Sequence, residues 1–400
     1  MNAATCTESG LPLRGLRVCM LTADHAADDD RIFFKEARSL VRFGADVVIV
    51  CHSGKTPPAD TGGVRFRQFP RRQGWGERFR GVGALAQIAA AERCEIIHCH
   101  EPDALAAALR LKQAAGAKVI YDSHESWGAN FAQRFPQPFW GAAQAVFEVW
   151  EKRLIRRCDA AIGASWAISD YLRAQLPFRP VATLLNVPVA EVFGRAARPA
   201  WGDTTILVHD GHLGFDRGLK TMVQAVHQVS RKHKAVLRIV GDVFDEPRAW
   251  LDQYVARYGL QGMVERTGWL PYHQVGQNIA VGHIGLIALQ KLPNNITTSS
   301  NKVFNYLLYG LPFIGPDFRL AKIKLVQEEQ CGLLADSSSP GSYAAAISNL
   351  IENRDRTVAM GRRAAKASEH KYRWSHMESE MISLYRRVLN HHPSRGSQTA

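Results

Sequence analysis

Short runs of apolar and β-branched residues recur along the chain, each separated from the next by a segment of helical periodicity. In the first half we predict strands at residues 18–21, 47–51, 96–99, 119–121 and 160–163. In the second half we predict strands at residues 205–208, 237–240, 264–267, 284–289, 313–315 and 333–334. Continuous apolar strands joined through helices form parallel sheets covered on both faces, so this pattern restricts the fold more than any other feature.

Because the alternation stops and restarts, the chain is predicted to be α/β, with two Rossmann-like, doubly wound domains. We place an N-terminal extension at residues 1–16, the two domains at 17–195 and 196–374, a closing helix at 375–393 and a disordered tail at 394–400. First-domain helices are predicted near residues 31–43, 75–93, 103–115 and 139–157, and a linker at 187–201. Ligands of such sheets bind outside the carboxyl ends of the strands, so we expect the domains to face a cleft.

A net charge of +13 over 400 residues indicates a polyanionic partner, either nucleic acid, anionic lipid or a phosphorylated substrate. Residues 65–80 mix arginines with aromatic side chains, a composition typical of a membrane-interfacial segment, although a solvated basic face is the simpler interpretation. The basic residues are scattered and no nucleic-acid-binding motif accompanies them, so we expect no nucleic-acid partner. No apolar run approaches the roughly 20 residues that span a bilayer, and we expect a cytoplasmic protein.

Seven cysteines without a C-x-x-C pair indicate single thiols in a reducing compartment. Cys94 and Cys99 lie near His98 and His100, but their spacing matches no zinc pattern, and we expect no metal site there. His98 and His100 share one face of a strand, where they either serve the cleft or are core histidines.

Two polar loops follow predicted strands of the first domain. The acidic run at residues 28–30 suggests either an Asp-x-Asp metal site or, more simply, the cap of the next helix. In VIYDSHESWG, His124 follows a strand and is the first choice for a cleft histidine, with loop packing as the alternative.

The loop HLGFDRGLK follows the first strand of the second domain. Gly211 and Gly214 are predicted to let the backbone approach a ligand, and Gly241 ends the next strand. Arg217 and Lys220 stand where a helix begins, and the forked guanidinium of Arg217 matches phosphate oxygens. A diphosphate is therefore the expected ligand of this loop.

The stretch SSNKVFNYLLYGLPFIGPD, residues 299–317, predicts a helix that begins near Asn301 and ends at Gly310. Ser299, Ser300 and Asn301 are good N-cap residues. The unpaired N–H groups at this helix start favour an anionic or hydroxyl-rich ligand, and Lys302 adds a full charge. A capped surface helix with a solvated lysine is the alternative.

Taken together, these motifs resemble the GT-B glycosyltransferases, and more narrowly the retaining family 4 enzymes that use nucleotide sugars. The resemblance covers residues 17–388, and only the order and spacing of its motifs are specific. The motifs are DDDRIFFKEARSL, IIHCHEPDALAAAL, KVIYDSHE, WEKRLIRRCDAAIGAS, the turn containing Asn186, GHLGFDRGL, SSNKVFNYLLYGLPFIG and YRWSHMESEMISLYRRVL.

The resemblance implies roles for three residues. His124 matches the histidine beside the transferred sugar, Arg217 the basic residue that holds the donor diphosphate, and Asn305 the glutamate that receives the ribose hydroxyls. Asn305 departs from that glutamate, Thr297 stands where a second glutamate would contact the sugar, and His212 replaces a frequent second arginine. The loss of carboxylates weakens hydrogen bonds to hydroxyls and puts donor affinity in question.

The implied activity is sugar transfer, with retention, from a UDP- or GDP-sugar to an acceptor hydroxyl, without a metal or another cofactor. The expected acceptor is a lipid-linked phosphate or glycan at an anionic membrane surface, and the expected process is cell-surface glycan, exopolysaccharide or lipopolysaccharide assembly. Two alternatives stay open: a sugar-nucleotide epimerase, which needs no acceptor, and a noncatalytic partner subunit. The donor set predicted from the sequence is Gly211, His212, Gly214, Arg217, Lys220, Gly241, Ser300, Asn301, Lys302 and Asn305.

Overall fold

The computed structural model describes residues 10–194, 199–297, 299–318 and 322–390. The chain forms two compact units: the first contains the residues up to Leu185 and those from Met377 onward, and the second contains Asn186–His376. Sequence patterning placed these boundaries at residues 195 and 374. The predicted disordered tail and residues 1–9 of the predicted extension lie outside the described residues, whereas Leu13 and Leu16 of that extension are buried in the first unit.

The first unit contains a parallel seven-stranded sheet in the order β3-β2-β1-β4-β5-β6-β7. Its strands are β1 Arg17–Leu21, β2 Asp46–His52, β3 Arg65–Phe69, β4 Ile96–Cys99, β5 Lys118–Ser123, β6 Ala160–Gly163 and β7 Val181–Thr183. Its helices are α1 Arg38–Arg42, α2 Gly74–Arg80, α3 Val82–Ala91, α4 Pro102–Ala115, α5 Trp127–Ala132, α6 Trp140–Ile155 and α7 Trp166–Gln175, with a π-helix at Asp30–Ala37 and a 3₁₀ turn at Gln137–Phe139.

The second unit contains a parallel six-stranded sheet in the order β10-β9-β8-β11-β12-β13. Its strands are β8 Thr205–Asp210, β9 Ala235–Val240, β10 Val264–Arg266, β11 Ile284–Leu286, β12 Phe313–Pro316 and β13 Gly332–Ala335. Its helices are α8 Ala190–Phe193, α9 Leu219–Val229, α10 Asp245–Tyr258, α11 Tyr272–Ala280, α12 Pro293–Thr297, α13 Asn301–Leu308, α14 Pro340–Glu352 and α15 Arg354–His370, with a π-helix at Lys322–Glu328. The last helix, α16 Trp374–Asn390, begins here, and its residues from Met377 belong to the first unit.

The α/β prediction is confirmed, and every strand predicted from the sequence is present. Sequence patterning missed β3 and β7. The first is an edge strand in which charged side chains interrupt the apolar pattern, and the second is only three residues long. The helix predicted at residues 75–93 is two helices, α2 and α3, which meet at Gly81.

Residues 65–80 do not form the membrane-interfacial segment that their composition suggested. Trp75 is buried and contacts the rings of Trp127 and Phe147 within the core of the first unit. Arg65 forms ion pairs with Asp46 and Glu92 of the same unit. Trp75 and Phe69 therefore belong to the core, and Phe79 packs against it half-buried.

The six cysteines within the described residues are buried and carry free thiols, as the sequence predicted. Among the described residues, no helix combines the length and the apolar character needed to cross a bilayer.

Candidate functional site

The strand orders place a topological switch point in each unit, between β1 and β4 in the first and between β8 and β11 in the second. At such a point the connections leave in opposite directions and open a crevice beyond the carboxyl ends of the strands. Polar clusters occupy both positions, and each is described within its own unit.

In the second unit, Arg217 lies in the loop between β8 and α9. Its Nη1 donates a hydrogen bond to the carbonyl of His212 over 3.0 Å, which ties the two ends of the loop together. The guanidinium carbon lies 5.8 Å from the centre of the Phe244 ring, and the His212 ring stacks on that same ring at 5.6 Å. About 36% of the Arg217 side chain is exposed, so part of its donor fork faces solvent.

Glycine is required in this loop and at the end of β9 for two different reasons. Gly211 has φ of +85°, and a Cβ there would lie 3.0 Å from the Lys302 ammonium nitrogen. A Cβ on Gly241 would lie 2.7 Å from the backbone of Gly211, and one on Gly218 would lie 2.1 Å from the carbonyl oxygen of Ala288. The glycine at Gly211 thus admits a cation, whereas those at Gly218 and Gly241 permit close backbone packing. Gly214 likewise packs against Phe244.

Helix α13 begins at Asn301, as predicted, and carries Lys302 and Asn305 toward the end of β8. Ser300 is its N-cap residue, but its hydroxyl makes no capping hydrogen bond, and Asn301 is exposed. The Lys302 ammonium has no hydrogen-bond partner within the described residues. Burial, together with the charge of Arg217, lowers the pKa of Lys302 to about 8.

Asn305 faces a carboxylate that sequence reasoning missed. Its Nδ2 donates to Oδ2 of Asp210, the last residue of β8, over 2.6 Å. The Tyr306 hydroxyl accepts a hydrogen bond from the Asp210 amide over 3.1 Å and contacts the carbonyl of Val208. The only sequence signal for Asp210 was an acidic residue at the end of the apolar run TTILV.

Most of the residues predicted to bind the sugar donor lie together in this unit. The Lys220 side chain is the exception and points toward aromatic rings. The Lys220 ammonium nitrogen lies 4.3 Å from the centre of the Phe215 ring and 5.6 Å from that of Trp250. His209, which was not predicted, is buried beneath the loop and donates from Nδ1 to the carbonyl of Leu286 over 3.2 Å. Burial and the charge of Lys302 lower the pKa of His209, so its imidazole is neutral.

In the first unit, a π-helix directs two charged side chains into the interior. Its i→i+5 periodicity aligns Arg31 with Glu36, and Nε of Arg31 lies 2.8 Å from Oε1 of Glu36. Arg31 also donates from Nε and Nη2 to the two oxygens of Asp122 at 2.9 and 3.0 Å. Burial together with the charge of Asp122 raises the pKa of Glu36.

The two strand histidines lie against this charged group. The rings of His98 and His100 stack at 4.7 Å, which confirms that they share one face of β4. His98 Nδ1 lies 2.8 Å from the Tyr385 hydroxyl of α16. Burial lowers the pKa of His100 to about 3, so it stays neutral at physiological pH.

His124, the predicted cleft histidine, lies at the edge of the same cluster. Its Nε2 is 3.1 Å from Oδ2 of Asp122 and 3.2 Å from Nδ1 of His100. Its side chain is 12% exposed. The role beside a transferred sugar stays a prediction from the resemblance.

Glu36, His98, His100 and Asp122 could together hold a metal ion, because their ligand atoms lie within 4.8 Å of one another. The Arg31 guanidinium, however, already contacts both carboxylates. A divalent ion would have to enter beside this fixed positive charge, and the donor set therefore fits poorly. The expectation of no metal stays a prediction.

The acidic run at residues 28–30 caps a helix. The Asp29 carboxylate accepts hydrogen bonds from the amides of Arg31 and Ile32, both over 2.9 Å. Asp30 pairs with Lys35 over 2.5 Å, and Asp28 pairs with Lys55 over 2.8 Å. These contacts support the capping interpretation over an Asp-x-Asp metal site.

A second buried ionic group lies at the start of α4, beside the switch point. Glu101 accepts hydrogen bonds from the Thr22 hydroxyl over 2.5 Å and the Ala23 amide over 2.9 Å, and it pairs with His25. Burial opposes the charge of His25, but Asp29 and Glu101 outweigh it and raise the pKa of His25 to about 10. The histidine is therefore a cation at physiological pH.

Comparison with known proteins matches both halves of the chain to transferase families. Residues 31–186 match the Glycosyltransferase Family 4 model, and residues 204–353 match the Glycosyl transferases group 1 model. The alpha-D-kanosaminyltransferase of Streptomyces kanamyceticus is 20% identical over 308 residues, which span 73% of this chain and 77% of that protein.

Solved structures share the fold at lower identity. A sucrose-phosphate synthase from Thermosynechococcus elongatus superposes with a TM-score of 0.73 at 15% identity, over 94% of this chain and 99% of that one. HepE from Anabaena, solved in complex with UDP, superposes with a TM-score of 0.71 at 13% identity, over 92% and 99%. With the two family matches and the two parallel sheets, these similarities show that the chain is a family 4-like GT-B glycosyltransferase.

Proposed function

We propose that this transferase moves a sugar, with retention of configuration, from a UDP- or GDP-sugar to an acceptor hydroxyl in cell-surface glycan, exopolysaccharide or lipopolysaccharide assembly. The observation that carries the donor assignment is the pair of cations at the end of β8. The Arg217 side chain is fixed by its hydrogen bond to the carbonyl of His212 in the same loop. The Lys302 ammonium approaches Gly211 and has no hydrogen-bond partner in the described part of the chain. Two such cations match the charge of a diphosphate.

The chemistry asked of these residues is electrostatic. As the bond from sugar to diphosphate breaks, negative charge grows on the leaving oxygens. Arg217, Lys302 and the positive end of the α13 dipole would stabilise that charge without a metal. The leaving phosphate would accept the proton of the acceptor hydroxyl, and His124 would position the sugar, as the family resemblance implies.

The choice of a uracil nucleotide as first probe is supported by the structural neighbours. HepE from Anabaena has been solved in complexes with UDP, with UDP and glucose, and with UDP-glucose. UDP-glucose is therefore the donor to test first, followed by GDP-sugars.

Calorimetric titration with a panel of nucleotide sugars tests the donor site, and Arg217→Ala provides the decisive variant. Loss of a charge-assisted contact is expected to weaken the best donor by about 10- to 100-fold. Arg266→Ala is a matched control, since Arg266, on the edge strand β10, is similarly exposed, at 39%, and pairs with Asp252 of α10. Equal affinity in Arg217→Ala and wild type would refute the donor site.

An apolar and basic surface on α6 supports an acceptor carried by a membrane. Phe139, just before the helix, and Val146 and Val149 within it are 60%, 72% and 52% exposed, and Arg153 and Arg156 are exposed at its C-terminal end. Apolar side chains beside a basic cluster favour docking on an anionic bilayer, such as the cytoplasmic face of a cell membrane.

Sedimentation with vesicles tests this location. Binding is expected to be stronger to vesicles with anionic lipid than to neutral ones, and Val146→Glu is expected to reduce it several-fold. Phe178→Ser is the control, because Phe178 is 91% exposed but lies outside this surface, in the loop after α7. Equal sedimentation with both kinds of vesicle would refute the membrane assignment.

A further inference from the structure

We propose that Asp210 is a positioning residue of the donor site, which holds the side-chain amide of Asn305 so that the carbonyl oxygen of Asn305 is presented to ligand hydroxyls. The inference rests on the proposed function and concerns the nucleoside end of the donor.

The two side chains come from distant parts of the second unit. Asp210 ends β8 and is 6% exposed, and Asn305 lies on the second turn of α13, half-buried. The hydrogen bond from Nδ2 of Asn305 to Oδ2 of Asp210 is 2.6 Å long, and 95 positions separate the residues.

The carboxylate determines which way the amide points. A carboxylate only accepts hydrogen bonds, whereas the end of an asparagine side chain has one donating and one accepting side. If the amide turned over, two acceptor oxygens would meet at 2.6 Å, so the turned state is strongly disfavoured. The carbonyl oxygen of Asn305 must therefore face away from Asp210, and it has no hydrogen-bond partner within the described residues.

Asp210 is itself held in place. Its backbone amide donates to the Tyr306 hydroxyl, and that buried hydroxyl lies 3.1 and 3.2 Å from the carbonyls of Val208 and Leu286. These contacts fix the end of β8 against β11 and α13. Because Asp210 is fixed, the carbonyl oxygen of Asn305 is a rigid acceptor, suited to a vicinal diol such as that of a ribose ring.

Asp210 could instead act only as a counter-charge for Lys302, and a pair of nucleotides separates the two roles. We would measure the affinities of UDP and 2′,3′-dideoxy-UDP for the whole chain by calorimetry. In Asp210→Asn the neighbour of Asn305 can donate or accept, so the amide loses its fixed orientation. The affinity for UDP is expected to fall about fivefold relative to that for the dideoxy nucleotide, the effect of one neutral hydrogen bond, while the lost charge changes both affinities by the same factor.

Asp216→Asn is the matched electrostatic control. Asp216 lies in the same loop, 4.0 Å from Arg217, with its side chain 53% exposed. Removal of its charge is expected to change the affinities of both nucleotides by the same factor. If Asp210→Asn also changes both equally, Asp210 acts through its charge and the positioning role is wrong.

An exchange of the two side chains provides a second test. Asn305→Asp alone places two carboxylates in contact and is expected to weaken UDP binding. The double variant Asp210→Asn/Asn305→Asp restores a donor–acceptor pair and is expected to return the affinity to within about twofold of wild type. Failure of the double variant to recover, while wild type still discriminates against the dideoxy nucleotide, would overturn the inference.

The outcomes also separate this inference from the proposed function. If wild type binds UDP and its dideoxy form equally well, the donor site stands and the role of Asn305 and Asp210 falls. If wild type binds only GDP, the same comparison is made with the guanosine pair. If it binds neither UDP nor GDP, the proposed function fails and this inference fails with it.

Discussion

Arg31 and Asp122 form a buried, bidentate ion pair across 91 positions of the chain, at 2.9 and 3.0 Å. Arg31 also donates to the carbonyl of Leu184 over 2.7 Å, so one side chain joins the π-helix, the end of β5 and the segment after β7. The positive charge of this guanidinium balances the buried Asp122 carboxylate, in a cluster that also contains Glu36 and His98.

Arg31→Met is expected to lower the free energy of unfolding of the first unit by about 3–5 kcal/mol, because it leaves the Asp122 charge buried without its partner. Hydrogen exchange of the β5 amides reports this unit separately from the second. Arg38→Met is the control, since Arg38 pairs with Asp60 on the surface, where the two side chains are 39% and 75% exposed. That change should cost much less, because exposed ion pairs contribute little to stability; equal costs in the two variants would contradict the prediction.

Lys302 is expected to make diphosphate binding depend on pH. Burial holds its pKa at about 8, so the ammonium loses its proton as the pH rises through 8. The affinity for UDP should therefore fall between pH 7 and 9. The variant Lys302→Arg, whose guanidinium stays protonated, should remove this pH dependence. Titrations of both proteins over that range would test the prediction, and parallel profiles would rule it out.

Glu151 should make the first unit less stable as the pH rises toward neutrality. Its carboxyl is buried between the hydroxyls of Tyr121 and Tyr171, at 3.0 and 3.2 Å. Burial raises its pKa from 4.5 to about 7, with a smaller contribution from Glu148 that Lys152 opposes.

The folded state therefore keeps a proton that the unfolded state releases, and stability contributed by Glu151 is lost as the pH rises from 4.5 through 7. The full loss is about 3 kcal/mol. Glu151→Gln cannot ionise and should remove this part of the dependence. Urea unfolding of both proteins between pH 5 and 8 measures it, and the prediction fails if their profiles have the same slope.

Gly218→Ala is expected to destabilise the donor loop beyond the cost of its backbone conformation. Gly218 has φ of +85°, and a methyl group there would lie 2.1 Å from the Ala288 carbonyl oxygen. The strain and the forced displacement together should cost about 2–4 kcal/mol.

Gly259→Ala separates the two contributions. Gly259 has φ of +65°, and no heavy atom lies within 4 Å of its would-be Cβ. Gly259→Ala should lower the free energy of unfolding by only about 1 kcal/mol, through backbone strain alone. Thermal unfolding and UDP titration of both variants would measure the difference, and the prediction is wrong if Gly218→Ala is the milder change.

The sequence located most elements of the fold because their signals are local. Apolar runs predicted every strand except β3 and β7, and the capping residues around Asn301 predicted where α13 begins. Arg217, Lys302 and Gly211 were identified as candidates from residue type and loop position. Lys220 was grouped with them for the same reason, but its ammonium lies over the Phe215 ring.

The partners of these side chains depended on tertiary structure. No local pattern indicates that Asp210 would meet Asn305, that Arg31 would meet Asp122, or that Trp75 would enter the core, because each contact joins segments from different parts of a sheet or its helices. The amino-acid order determined which segments become strands and helices, since hydrophobic period and capping act over a few residues. Strand order and packing then decided which charges are paired, buried or left for a ligand, because those energies depend on neighbours that only the folded chain brings within a few ångströms.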